Sequence, residues 1–123
     1  MARIVVIEDE DIVLRSLQGM LESGGHDVLA ATNGEIGIEL CHREKVDLVI
    51  TDLLMPKKGG IEVIVQIQKD MPGIKVIAIS GGGRMGDLNF LEHAEMLGAS
   101  RSLEKPVTRE ELLEAVDGVL GGA

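Results

Sequence analysis

Residues 46–52 read VDLVITD, four aliphatic side chains broken only by Asp47 and closed by Thr51 and Asp52. A short, nearly continuous apolar run with a polar end fits a strand buried on both faces, as in a parallel sheet. RIVVIED (3–9) and IKVIAIS (74–80) have the same character, and HDVLAA (26–31) is a milder version. ASRSLEK (99–105) is weak and polar, which suits an edge strand. Helical periodicity fills the gaps. Residues 10–23 put Val13, Leu17, Met20 and Leu21 on one face before Gly24-Gly25. Asn33 offers an N-cap to a helix running to about Glu44. Ile61, Ile64, Val65 and Gln68 recur at helical spacing until Met71-Pro72-Gly73, after a loop over residues 55–60. Leu88, Leu91, Ala94, Glu95 and Leu97 form a fourth helix ended by Gly98. Thr108 and Glu111 spell a capping box that opens a last helix to Leu120. Five successive βα units predict an α/β fold with a doubly wound parallel sheet, helices on both faces and right-handed crossovers.

The composition supports this reading. The 123 residues fit one domain, and Phe90 is the sole aromatic, so the core must be built from Ile, Val, Leu, Met and Ala. Twelve Lys and Arg face 21 Asp and Glu, a net charge of −9. Such a surface repels phosphate backbones and anionic membranes, so neither direct nucleic-acid binding nor membrane attachment is expected. No apolar run approaches the roughly 18 residues of a membrane span. There is no signal-peptide pattern, and Cys41 has no partner for a disulfide. A cytoplasmic protein is expected. Cys41 and the methionines read as core filler, and His26, His42 and His93 lack metal-binding spacing.

Ligands of open α/β sheets bind beyond the carboxyl ends of the strands. Those ends carry Glu8-Asp9, Thr51-Asp52, Ser80 and Lys105-Pro106. Crowded carboxylates raise one another's pKa, and a hard cation with oxygen ligands removes that cost. Glu8, Asp9 and Asp52 suit Mg²⁺, while Lys105 and Ser80 suit the oxygens of a phosphoryl group. Asp52, ending the most apolar strand, is the candidate carboxylate nucleophile.

At these residues the chain resembles the response-regulator receiver domain of two-component signalling, close to the single-domain chemotaxis type. The motifs VVIEDED, DLVITDLLMP, VIAIS and EKP stand in that family's order, and the resemblance covers residues 2–120. It implies one receiver domain over 1–123, with the flavodoxin-like strand order 2-1-3-4-5. It implies Asp52 as phosphoacceptor, and Glu8, Asp9, Asp52 and the backbone carbonyl of Leu54 as Mg²⁺ ligands. Ser80 would be the hydroxyl that moves onto the phosphoryl group, and Lys105 the lysine before a cis Pro106. The partners implied are a sensor histidine kinase or histidine phosphotransfer protein as donor and a downstream effector protein. The output face would comprise the fourth helix, fifth strand and fifth helix. A phosphorylation-dependent homodimer stays open, and the only catalysis expected concerns the domain's own phosphorylation and dephosphorylation.

The sequence departs from that family at Ser102, where an aromatic switch residue is usual, at Lys58 and Gly59, and at Val107. Two alternatives follow. A degenerate receiver would act as an interaction module without phosphorylation. A Mg²⁺-dependent aspartyl-phosphate phosphohydrolase would want a second Asp where Leu54 stands. The loop SGGGRMGD (80–87) also matches G-x-G-x-x-G. A dinucleotide fingerprint belongs in the first βα turn, however, and here that turn is acidic. Gly81, Gly82 and Gly83 are instead expected to form a pliant switch loop beside Ser80.

Overall fold

The computed structural model describes residues 2–53, 59–81 and 94–121. Five strands form one parallel sheet: β1 (Arg3–Ile7), β2 (Asp27–Ala31), β3 (Leu48–Asp52), β4 (Lys75–Ser80) and β5 (Arg101–Glu104). Their order is β2-β1-β3-β4-β5. The expected flavodoxin-like topology is therefore present, with β3 central and β5 at an edge. Helices α1 (Asp11–Ser23), α2 (Gly34–Arg43) and α3 (Gly60–Asp70) follow the first three strands. Residues 94–97 are helical (α4), and α5 (Arg109–Gly121) follows β5.

Alternation along the strands sends successive side chains to opposite layers. Val5, Ile7, Val49, Val76 and Ala78 meet Ile38 and Cys41 of α2, Val63, Ile64 and Ile67 of α3, and Ala94 of α4. Ile4, Val6, Leu48, Ile50, Ile77 and Ile79 meet Leu14, Leu17 and Leu21 of α1, and Leu112, Ala115 and Val116 of α5. Full burial of each such Ile or Leu favours folding by roughly 1.5–3 kcal/mol. The central strands read as unbroken apolar runs because both of their faces are covered.

Local signals mostly act as read. The Asn33 side chain accepts from the Ile36 N–H at 2.9 Å. Thr108 Oγ1 accepts from the Glu111 N–H at 3.1 Å while Glu111 accepts from the Thr108 N–H at 3.0 Å, a complete capping box. Gly98 ends α4 with φ of 130°, a conformation that side chains with a Cβ rarely adopt.

Three expectations need correction. The buried face of α3 is Val63, Ile64 and Ile67, and Val65 is 45% exposed. A spacing of three or four residues from Ile61 fits more than one phase, and packing on β3 and β4 selects this one. On α1 the reading missed Leu14, which is buried with Leu17 and Leu21, while Val13 and Met20 pack half-buried against the same layer as read. Met96 is 83% exposed, so it fills no core. The fourth-helix positions Leu88 and Leu91 lie outside the described residues. Among the described residues, no helix is long and apolar enough to cross a membrane.

Cys41 does sit in the core, and burial pushes its thiol up to about 11. The folded state therefore favours the neutral thiol, and the associated stability falls only as pH rises above the ordinary thiol value of 9.0. The reactive thiolate is scarce at neutral pH, so an aromatic disulfide reagent should label native Cys41 only as fast as the chain opens. Labelling should become immediate in denaturant. Rapid labelling of the native chain would contradict this placement.

Candidate functional site

The strand order reverses between β1 and β3, since β1 connects outward to β2 and β3 outward to β4. That switch point opens a crevice at the carboxyl ends of the two strands. Ile7 is in register with Thr51, so the next residues, Glu8 and Asp52, emerge side by side. Asp52 is in register with Ile79 and Ser80 with Glu104, which brings Ser80 and Lys105 to the same edge. Ladder bonds continue past the strands: Glu8 N–H donates to Ala31 O at 3.0 Å and Lys105 N–H to Ser80 O at 2.8 Å. The site thus hangs on rigid backbone.

Glu8 is 1% exposed and Asp52 7%. Two carboxylates so placed need a compensating charge, and Lys105 supplies it. Its Nζ lies 3.0 Å from Glu8 Oε1 and 3.3 Å from Asp52 Oδ2. The other Glu8 oxygen, Oε2, accepts from the Glu10 N–H at 3.0 Å. Burial raises the Glu8 pKa above the ordinary 4.5, and the nearby Asp52 charge adds to the rise. The Glu10 N–H and Lys105 oppose it without cancelling it. Burial works against the Lys105 ammonium, but the Glu8 hydrogen bond and the two carboxylate charges outweigh it, so its pKa stands above 10.5. The ammonium contribution to stability is present below that value and is lost only as pH rises through the folded pKa. Lys105 is charged across the physiological range.

Asp9 is exposed and completes a cluster in which one carboxylate oxygen each from Glu8, Asp9 and Asp52 lie within 4.8 Å of one another. Hard oxygen donors at this spacing fit a small divalent cation that keeps part of its water shell. Opposite them, Ser80 is fully buried, and among the described residues its Oγ is the one buried side-chain polar atom without a hydrogen-bond partner. An orphaned buried hydroxyl costs stability and asks for a functional reason. The Lys105–Pro106 peptide bond is cis, as expected.

The structure therefore unites Glu8, Asp9, Asp52, Ser80 and Lys105. Gly81 adjoins them and is exposed. Leu54, Gly82 and Gly83 lie outside the described residues. Ser102 does not enter the site. It is half-buried on β5, and its Oγ donates to Glu95 Oε2 at 2.7 Å.

Two features escaped the sequence reading. Beside Lys105 and Pro106 runs a groove of about 540 Å³ whose apolar wall includes Ile12, Val13, Leu17, Met20 and Val107. Ile12 at its mouth is 84% exposed. The available signal was an isoleucine lying off the buried phase of α1, just after the acidic pair. The second is Gly60, the first residue of α3, which packs against the backbone that carries the acid. A Cβ there would lie 2.4 Å from Asp52 O and 2.6 Å from Leu53 Cα.

The family model for the response regulator receiver domain matches residues 4–117. The chain belongs to this family. This receiver is 36% identical over 124 residues to the protein PilH of Pseudomonas aeruginosa, covering 99% of this chain and 100% of PilH. It is 35% identical over 119 residues to the transcriptional regulatory protein GlrR of Escherichia coli, covering 97% of this chain. It spans only 26% of GlrR's length. Among solved structures, a response regulator receiver domain protein from Clostridium thermocellum matches with a TM-score of 0.91 and 34% identity, covering 99% of this chain and 96% of that one. Receiver domains of two-component response regulators interact with histidine kinases and downstream effectors.

Because the atoms facing Gly60 are backbone, no rotamer change can relieve the overlap in Gly60→Ala. The variant should lose about 1–3 kcal/mol of stability, the usual cost of overpacking, read as a lower urea midpoint. An unchanged midpoint would show that α3 and the end of β3 are not in close contact.

Proposed function

We propose that this receiver accepts a phosphoryl group on Asp52 from a phosphohistidine donor, with Mg²⁺, and passes the change to the side of the molecule formed by α4, β5 and α5. The observation that carries the reading is the charged Lys105 held between Glu8 and Asp52, at the same sheet edge as a buried Ser80 hydroxyl that has no partner. Glu8, Asp9 and Asp52 would hold Mg²⁺, with the Leu54 carbonyl as a further oxygen, and the ion when bound would supply positive charge for the phosphoryl oxygens. A carboxylate oxygen of Asp52 bonds to phosphorus as the phosphorus–nitrogen bond to the donor histidine breaks, and the imidazole leaves with the electron pair. Lys105 donates to a phosphoryl oxygen, easing the charge that develops there. Ser80 can donate its hydroxyl proton to another, which ends its unpartnered state. Hydrolysis of the resulting acyl phosphate is the only turnover, so the domain is a switch rather than an enzyme acting on outside substrates.

The donor would be a sensor histidine kinase or a histidine phosphotransfer protein, and the output an effector protein or a second copy of the chain, in the cytoplasm. The groove lined by Ile12 and Pro106 also includes Lys105, which contacts Asp52, so a donor protein docked over Asp52 would extend onto it. The full set of five residues supports phosphorylation over a purely structural interaction module. Leu54 in place of a second acid disfavours a phosphohydrolase.

Incubation with acetyl phosphate and Mg²⁺ should give a phosphoryl adduct on Asp52 by mass spectrometry, and Asp52→Asn should give none. A wild-type chain without adduct, or a variant with an undiminished one, would overturn the assignment. A second measurement tests the groove. Ile12→Glu should slow transfer from a phosphohistidine protein roughly tenfold while leaving acetyl phosphate labelling intact, because an apolar anchor matters only when a protein surface docks. Equal slowing with both donors would place Ile12 in the chemistry instead.

A further inference from the structure

The contact between Ser102 and Glu95 has no part in the chemistry proposed above, yet it lies on the same face of the sheet as Ser80. Ala78 and Ser80 are two apart on β4 and so point the same way, and Ser102 is directly opposite Ala78. That face is covered by α4, whose Ala94 is fully buried against the layer containing Ala78 and Ala99. Three further contacts fix the end of α4. Ala99 N–H donates to Ala94 O at 2.9 Å, and the Gln68 side-chain amide donates to Gly98 O at 3.3 Å. A Cβ at Gly98 would lie 2.4 Å from Gln68 Cγ, so α3 and the end of α4 are in close contact. Against β5, the polar tie among the described residues is Ser102 Oγ–H to Glu95 Oε2 at 2.7 Å, a short bond to a carboxylate.

We propose that this hydrogen bond is a latch that holds α4 on β5 before phosphorylation and opens afterwards. The proposal rests on the phosphorylation reading. Ser80 and Ser102 are near neighbours on one face, and the Ser80 hydroxyl has no hydrogen bond to hold its rotamer in place. When its hydroxyl turns toward a phosphoryl oxygen, the space it leaves opens on the sheet face that also carries Ser102. Ser102 is too small to fill that space, and so are Ala78 and Ala94. The helix then resettles, and the latch is the bond that resists. Glu95 is exposed and Ser102 half-buried, so water competes for the bond and it can bias α4 without locking it. Loss of such a bond should change the open population of α4 roughly tenfold.

Amide exchange of the whole chain, followed by NMR with and without beryllofluoride and Mg²⁺, tests this. In the wild type, beryllofluoride should speed exchange at residues 95–98. Ser102→Ala should exchange roughly tenfold faster there without beryllofluoride and gain little more when it is added. Ser102→Thr, which keeps a hydroxyl, should restore wild-type behaviour, whereas a residue that mattered only for packing would not distinguish Thr from Ala in this way. If Ser102→Ala exchanges like the wild type, there is no latch. If beryllofluoride shifts the signals of Asp52 and Lys105 but leaves 95–98 unmoved, the coupling is wrong while the phosphorylation reading stands. If beryllofluoride shifts neither Asp52 nor Lys105, that reading falls and the coupling falls with it.

Discussion

One ammonium group organises the functional end of this molecule. Lys105 reaches from beyond β5 across β4 to the carboxylates at the ends of β1 and β3. Without it, Glu8 and Asp52 would share a crevice almost closed to water, where the Asp52 charge already adds to the raised pKa of Glu8. With it, the three strands have a polar tie at the end where the apolar layers stop. The net gain of such a buried pair is modest, because the ions lose water before they gain each other, but removing one member leaves a charge stranded. The arrangement therefore specifies geometry more than it adds stability.

In the proposed phosphorylation the same balance would make the site responsive. A phosphoryl group brings about −1.5 to −2 charges and three acceptor oxygens to a place where one ammonium already serves two carboxylates. Lys105 then has a stronger partner than Glu8, and the Glu10 N–H continues to hold the other Glu8 oxygen in place. Ser80 gains an acceptor where it had none. Every rearrangement involves a group that is already buried and oriented, so little ordering cost remains when the charge arrives. The proposed response would be local, and Ser80 and Lys105 would direct it at β4 and β5.

Most of this was legible in the sequence because the fold is governed by patterns that the sequence states directly. Runs such as LVITD and KVIAIS can satisfy both faces only in a covered parallel sheet, and the five βα units then fix which residues end the strands. Asn33, Thr108 and Gly98 act through local backbone geometry, so they too could be read in isolation. What failed depended on tertiary choice. The phase of α3 around Val65, and the exposure of Met96 and Ile12, follow from which helix faces the sheet claims. The vacancy at the Ser102 position was visible, but its bond to Glu95 was not, since seven residues and a turn separate the partners. The close contact of Gly60 with the Asp52 backbone is likewise a fact of packing.

The nearly aromatic-free composition also bears on how a signal can travel. A large ring can sweep through a volume comparable to a whole side chain, which makes it an effective reporter of small changes beneath a helix. Among the described residues, those where the sheet meets the end of α4 include the small Ala78, Ala94, Ala99 and Ser102, so the helix end sits close to the strands. Close-packed interfaces of small groups do not deform gradually, because each small displacement forfeits many contacts at once. In the proposed switch, a shift at Ser80 would be taken up by polar bonds at the margin of α4 such as that of Ser102 to Glu95. The glycine loop that first suggested a nucleotide site is the link between Ser80 and that helix. Its place after β4 rather than β1, and the acidic residues of the turn after β1 where such a fingerprint belongs, set aside pyrophosphate binding; in the proposed function the phosphate would instead be carried by the chain itself.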